Sequence, residues 1–296
     1  MVVGEFSIKI NGLAVACFLQ QKQALRRMVQ CIVAPLLLIF VCLQLAACGA
    51  SKRSSNTGLA SSASVNSCIL PNGTQDNSLQ GHWATSPQSP FPMKMAFHSG
   101  GSWAAGEISV VQAAQTTWNN HFQAVKGGKV FNTTANTSSL NETHPDCSQT
   151  DTGEGTVFYK RGTWTKGASV IALTTFCTRR VTCPTDRPVS VSECLPIMYH
   201  AIIEFNYKNF FVAGTNQYPD LQSIATHELG HLLGLDHSCD PLRSGLPNVS
   251  CSVGASSLGL ASSIMYPTWS IDSRTGAGEI KRTLNGNDQG RANCLY

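Results

Sequence analysis

His227-Glu228-Leu229-Gly230-His231-Leu232-Leu233-Gly234-Leu235-Asp236-His237 is the stretch on which the reading of this chain turns. The run Leu221 to Leu235 reads as a helix, and Asp220, after Pro219, is placed to cap its start. In a helix His227 and His231, four residues apart, project from one face and can share a metal ion. Gly234 can take a left-handed conformation, end the helix and turn the chain, bringing His237 round as a third ligand. Three protein ligands leave a fourth position for water, the pattern of a catalytic rather than a structural zinc site. Glu228 lies about 100° round the helix from His227, off the metal but within reach of such a water. A carboxylate there can accept the water's proton and pass it to a leaving amine.

The stretch fits H-E-x-x-H-x-x-G-x-x-H at every fixed position and so resembles the metzincin zinc proteases. Ser263-Ile264-Met265-Tyr266-Pro267 looks like the methionine turn of that group. Ser238, after the third histidine, is the residue type of its matrixin branch. Ile203-Glu204-Phe205-Asn206 resembles a matrixin sheet strand, and the tail from Leu284 to Tyr296 is similar to the matrixin C-terminal helix. The resemblance covers residues 80–296. It implies an α+β metzincin catalytic domain with a twisted mixed sheet, a long helix in the N-terminal subdomain, an active-site helix and a C-terminal helix. It also implies a zinc metalloendopeptidase acting on protein or peptide substrates, with Glu228 catalytic and Zn2+ on His227, His231 and His237. Gly234 and Ser238 would support the site, Met265 would form an apolar floor under the metal, and Pro267, Thr268 and Trp269 would wall the pocket for the residue after the cleaved bond. Calcium is compatible with the family, although acidic residues are sparse.

The chain departs from that pattern in two places. No P-R-C-G-x-P-D segment, the matrixin cysteine switch, is present; Cys68, in Ser-Cys-Ile-Leu-Pro, fits a disulfide better. No cluster for a second, structural zinc is recognisable, since His98, His121, His144 and His200 are scattered. A catalytically silent binding or adhesion protein on the same scaffold is the alternative. Retention of Glu228 argues against it, because zinc binding alone does not need that carboxylate.

Outside the motif, Met93 to His98 reads as a strand, and Glu107 to Phe122 as an amphipathic helix with Ile108, Val111, Trp118 and Phe122 on one face. Residues 127–156 read as loop, and Val170 to Phe176 and Ala201 to Phe205 as strands.

The N-terminal part has a different character. Ile32 to Ala47 is uncharged, follows Lys22, Arg26 and Arg27, and is shorter than the roughly 20 residues that span a bilayer. It reads as an export leader, residues 1–47. Leu45-Ala46-Ala47 before Cys48, with Gly49 after it, resembles the lipobox of bacterial lipoproteins, which makes Cys48 the expected lipidation site. The Ser- and Gly-rich residues after it, within 48–79, read as a tether for the domain at 80–296. The expectation is an exported envelope lipoprotein at the outer membrane or cell surface, anchored by lipid. No later run could span a membrane, and a monomer is expected. The N-x-S/T patterns at Asn72, Asn132, Asn136, Asn141 and Asn248 would suit a eukaryotic secretory protein, but they are common by chance in so Asn- and Thr-rich a chain.

The formal net charge of +4 belongs largely to the leader. Without residues 1–47, 17 basic side chains face 16 acidic ones, and no basic stripe for nucleic acid is left. Eight cysteines follow Cys48, an even number that suits disulfides in an exported chain. Local spacing suggests Cys177 with Cys183 and Cys239 with Cys251. Cys68 with Cys294 would tie the ends together, leaving Cys147 with Cys194.

Overall fold

A computed structural model describes residues 2–8, 67–70, 79–84, 89–148, 155–211, 218–239, 251 and 259–296. The apolar run Ile32 to Ala47, Cys48 and most of the tether lie outside the described residues. The strands are β1 (Val2–Ile8), β2 (His82–Trp83), β3 (Met95–His98), β4 (Asn136–Ser138), β5 (Thr156–Arg161), β6 (Val170–Arg179), β7 (Ile197–Asn206) and β8 (Thr268–Trp269). The helices are α1 (Ala105–Lys126), α2 (Leu221–Leu233) and α3 (Gly286–Ala292). None is long and apolar enough to cross a membrane.

The strands form one mixed sheet in the order β4-β3-β5-β7-β6-β1-β8, with β2 beside β7. The pairs β3–β4, β3–β5, β5–β7, β2–β7 and β1–β8 are parallel, whereas β6–β7 and β1–β6 are antiparallel. Because β3 and β4 are parallel neighbours, the chain between them must cross over, and α1 makes that crossing. Among the described residues a mixed sheet and three helices agree with the expectation in outline, and the parallel pairs make the fold mixed α/β rather than α+β with segregated elements. Val2–Ile8, expected within the leader, forms a strand paired with β6 on the side away from β7.

Helix α1 turns Val111, Ala114, Trp118 and Phe122 inward, and Ile108 packs at the rim. They meet Ile224, Ala225, Leu229, Leu232 and Leu233 of α2 and the sheet residues Phe97, Phe158, Phe176, Ile203 and Phe205 in one core. Two indoles fix α2 by its backbone: Trp118 Nε1 donates to Thr226 O (2.9 Å) and Trp83 Nε1 to Leu232 O (2.6 Å). Buried indole N–H groups need such acceptors.

Several elements differ from the sequence reading. α1 is longer at both ends than Glu107 to Phe122, and β6 and β7 are each ten residues long. The segment 127–156, expected as loop, contains β4, whose polar Asn-Thr-Ser carries no alternating apolar signal and is placed by pairing with β3. Strand β5 was not anticipated.

Two cysteine pairs agree with expectation, Cys68–Cys294 and Cys239–Cys251. The other two are exchanged: the bonds are Cys147–Cys177 and Cys183–Cys194, not Cys177–Cys183 and Cys147–Cys194. The reason is strand geometry. Cys177 lies inside β6, which stays extended through Arg179 and carries the chain away at about 3.3 Å per residue before Cys183 is reached. Cys183 and Cys194 instead close the connection between antiparallel β6 and β7.

Candidate metal centre and active site

Helix α2 starts as its sequence demands. The carboxylate of Asp220 accepts from Ser223 N (2.9 Å) and Ser223 Oγ (2.6 Å), which satisfies a first-turn donor. Burial alone would raise the pKa of Asp220, but the Arg282 guanidinium and the Ser223 bonds outweigh it and hold the carboxyl below its ordinary value. The helix stops at Gly234, which is left-handed at φ 104°. A side chain there would also run into the Gly81 carbonyl. Gly230 is needed for a different reason: a Cβ would collide with the thioether of Met265 and crowd Trp118.

The turn after Gly234 brings the three histidines together. Ring centroids lie 4.7 Å apart for His227–His231, 4.9 Å for His231–His237 and 5.4 Å for His227–His237. One nitrogen of each falls within 4.8 Å of the others, a set able to hold a metal ion. Carbonyls can only accept, so the bonds His227 Nδ1 to Ile264 O (2.6 Å) and His231 Nδ1 to Leu235 O (2.8 Å) put the ring proton on Nδ1. Each Nε2 is then a lone pair. His227 Nε2 and His231 Nε2 are 3.0 Å apart, and the buried His237 Nε2 has no hydrogen-bond partner among the described residues. Lone pairs packed so closely repel unless a cation draws them in, and this donor set fits zinc. Burial, the first cause in each case, holds all three rings below the usual histidine pKa; neighbouring imidazoles add to this at His227 and His237. Neutral imidazole is the metal-binding form.

Glu228 is fully buried beside them. Thr174 Oγ1, on β6, donates to its Oε2 (2.6 Å), while Oε1 has no partner among the described residues. Burial pushes the carboxyl up to about 8, against the pull of the Thr174 bonds.

Below the histidines runs the turn Ser263 to Pro267. Met265 is fully buried against Gly230. Ser238 N donates to Met265 O (2.8 Å), which ties the end of the histidine motif to this turn. Asp288, at the start of α3, holds the turn from the other side. Its carboxylate accepts from Ser263 Oγ, Ile264 N (2.9 Å), Met265 N (3.3 Å) and Asn285 N (3.0 Å). Asp288 was missed by the sequence reading. Its only signal was its place three residues after Asn285, a capping-box spacing that says nothing of the turn it grips. Pro267 is buried, Thr268 and Trp269 form β8, and the Trp269 ring meets His227 edge-on at 6.3 Å. Thus His227, His231, His237, Glu228, Gly234, Ser238, Met265 and the segment Pro267 to Trp269 are gathered at one place. Cys48 lies outside the described residues.

The remaining histidines do not join this set. His82 Nδ1 bonds Trp83 O (2.8 Å), His121 Nε2 bonds Asn293 Oδ1 (3.0 Å), His200 Nε2 bonds Glu142 (3.0 Å), His144 Nε2 meets Lys166 Nζ (3.3 Å), and His98 stacks near Tyr159.

The matrixin (peptidase M10) family model matches residues 97–250, just over half the chain. The chain belongs to the matrixin family. No curated protein matches. The matched span of this matrixin holds the three histidines, Glu228 and Thr174, while Met265 and Asp288 lie beyond it. Matrixins are zinc-dependent metalloproteases, so the family supplies the reaction class, peptide-bond hydrolysis, and the metal that the donor set fits.

Proposed function

We propose that this matrixin is a zinc endopeptidase in which His227, His231 and His237 hold the metal and Glu228 is the catalytic base. The observation that carries the reading is the convergence of three neutral imidazole nitrogens beside the buried Glu228 carboxyl, whose Oε1 has no partner among the described residues. Zinc bound there supplies a water acidified toward a pKa of about 7 and a Lewis acid for a peptide carbonyl. Glu228 accepts a proton from the attacking water at Oε1 and returns it to the leaving amine. Met265 packs under the histidines as an apolar floor, and Ser238 and Gly234 fix the chain that presents His237. Pro267, Thr268 and Trp269 wall the pocket for the residue after the cleaved bond.

The course of β1 supports a direction for substrate docking. This segment runs antiparallel to β6, with Gly4 opposite Thr174 and Glu5 opposite Leu173, and parallel to β8, with Ser7 opposite Thr268. A chain cut before Cys48 lacks these residues. The edge of β6 then offers unpaired backbone groups to which an extended peptide can add as a strand. We further propose that the mature protein is a monomeric envelope lipoprotein carrying lipid on Cys48, from the residues Leu45 to Gly49 around that cysteine. Mass spectrometry of its native N-terminus checks this: a diacylglyceryl Cys48 is expected, and an unmodified or absent Cys48 contradicts it.

The test of the peptidase is cleavage of a denatured protein by the zinc-loaded chain beside Glu228→Ala. The parent should cleave, and the variant should bind zinc yet lose about 10²–10⁴ of the rate. Equal rates would remove Glu228 from the mechanism. A folded, zinc-bound parent that cleaves nothing would favour the binding or adhesion alternative.

A further inference from the structure

Thr174 has no part in the motif that identifies the site. It lies on β6, fully buried, with its hydroxyl against Glu228. The strand and the helix are joined here through one side chain: Oγ1 is 2.6 Å from Glu228 Oε2 and 3.1 Å from the backbone carbonyl of the same residue. A hydroxyl has a single proton, and the shorter contact, to Oε2, takes it. Among the described residues the Thr174 hydroxyl is the one partner that Oε2 meets, and Oε1 has none.

We propose that Thr174 is a positioning residue for Glu228, and the inference rests on the peptidase reading above. By holding Oε2, the hydroxyl stops the carboxylate from rotating about its last torsion, which is broad and roughly two-fold when nothing restrains it. Oε1 is then kept as the oxygen turned to the reacting water, and it meets the water in one geometry. Catalytic geometry of this kind depends on second partners that lock the rotamers of the reacting groups. Valine would fill the same space and suits a strand equally well, so the hydroxyl itself, rather than packing, is what the position contributes. Thr174 touches neither substrate nor metal in this account and acts only through Glu228.

The experiment compares the zinc-loaded full chain with Thr174→Val and Thr174→Ser. Three quantities are read: kcat and KM on one peptide, zinc content with thermal midpoint, and the Glu228 carboxylate stretch, isolated by infrared difference against Glu228→Gln. Loss of a partner one step behind a reacting group costs about 10–100-fold. Thr174→Val should lose that much in kcat, with KM, zinc content and midpoint close to the parent. Thr174→Ser should restore most of the rate. The carboxylate band should move in the valine variant alone. Unchanged kcat in Thr174→Val overturns the proposal, as does an equal loss in folded, zinc-bound Thr174→Ser. If no form hydrolyses the peptide, the band separates the two ideas. A shift confined to Thr174→Val keeps the tether and removes the peptidase, whereas an unmoved band removes the tether as well.

Discussion

From Asp220 to His237 the chain is shaped by neighbours a few residues away. Asp220 caps with Ser223, His227 and His231 share a helix face, and Gly234 turns the chain within one step. Between 140 and 196 it is shaped by partners far along the sequence. Cys147 reaches Cys177, His200 reaches Glu142, Arg161 Nε reaches Glu204 Oε1 (2.6 Å), and Tyr199 Oη reaches Cys147 O (2.8 Å). The first region gathers the three histidines and buries Glu228 beside them, and the second braces the sheet alongside. The contrast teaches that a site can be written locally and still depend on a distant clamp, because the turn under the histidines is held by Asp288 of α3.

That clamp is where the comparison breaks most readily. Asp288 is fully buried and satisfies four donors, so Asp288→Ala leaves them unmet. The expected cost is about 3–5 kcal/mol, the scale for breaking a buried charged network. Calorimetry should show the thermal midpoint falling by roughly 10 °C, with weaker zinc retention. A midpoint within about 2 °C of the parent would mean that the turn is held by the local chain after all.

A cut in the second region should act differently. Replacing both Cys147 and Cys177 by serine opens a crosslink of sequence separation 30. Denaturant unfolding should report a loss of roughly 3 kcal/mol, while zinc stoichiometry stays at that of the parent. Loss of the metal in this variant would show that the two regions are not separable.

The smallest effect sharpens the comparison inside the helix. Asp220→Ala removes the cap of α2 and the partner of Arg282 and should cost about 1 kcal/mol at neutral pH. The folded carboxyl is held below its ordinary value, so its contribution is present above the unfolded pKa of about 3.9 and is lost as pH falls through the lower, folded value. The difference between parent and variant in urea midpoint should be constant from pH 7 to about 5 and shrink below about 4. A difference that persists in acid would assign the effect to packing rather than to the charge.

The same contrast explains what the sequence revealed. The histidine motif, the cap at Asp220 and the stop at Gly234 are local, and spacing alone was enough to place them. The face of α1 followed from periodicity. Strand β4, without apolar alternation, became visible only through pairing with β3. The Cys147–Cys177 bond is not legible from sequence spacing, because the extended β6 separates Cys177 from its sequence neighbour Cys183. Thr174 and Asp288 were missed for a related reason. Each serves the site from another element, and no motif records a partner 54 or 23 residues away.

Whether one zinc ion sits on the three histidines is read by anomalous diffraction at the zinc edge from crystals of the zinc-loaded full chain. One metal is expected at about 2.0–2.1 Å from Nε2 of each of His227, His231 and His237. A metal bound elsewhere, or one that leaves His237 unligated, would contradict it.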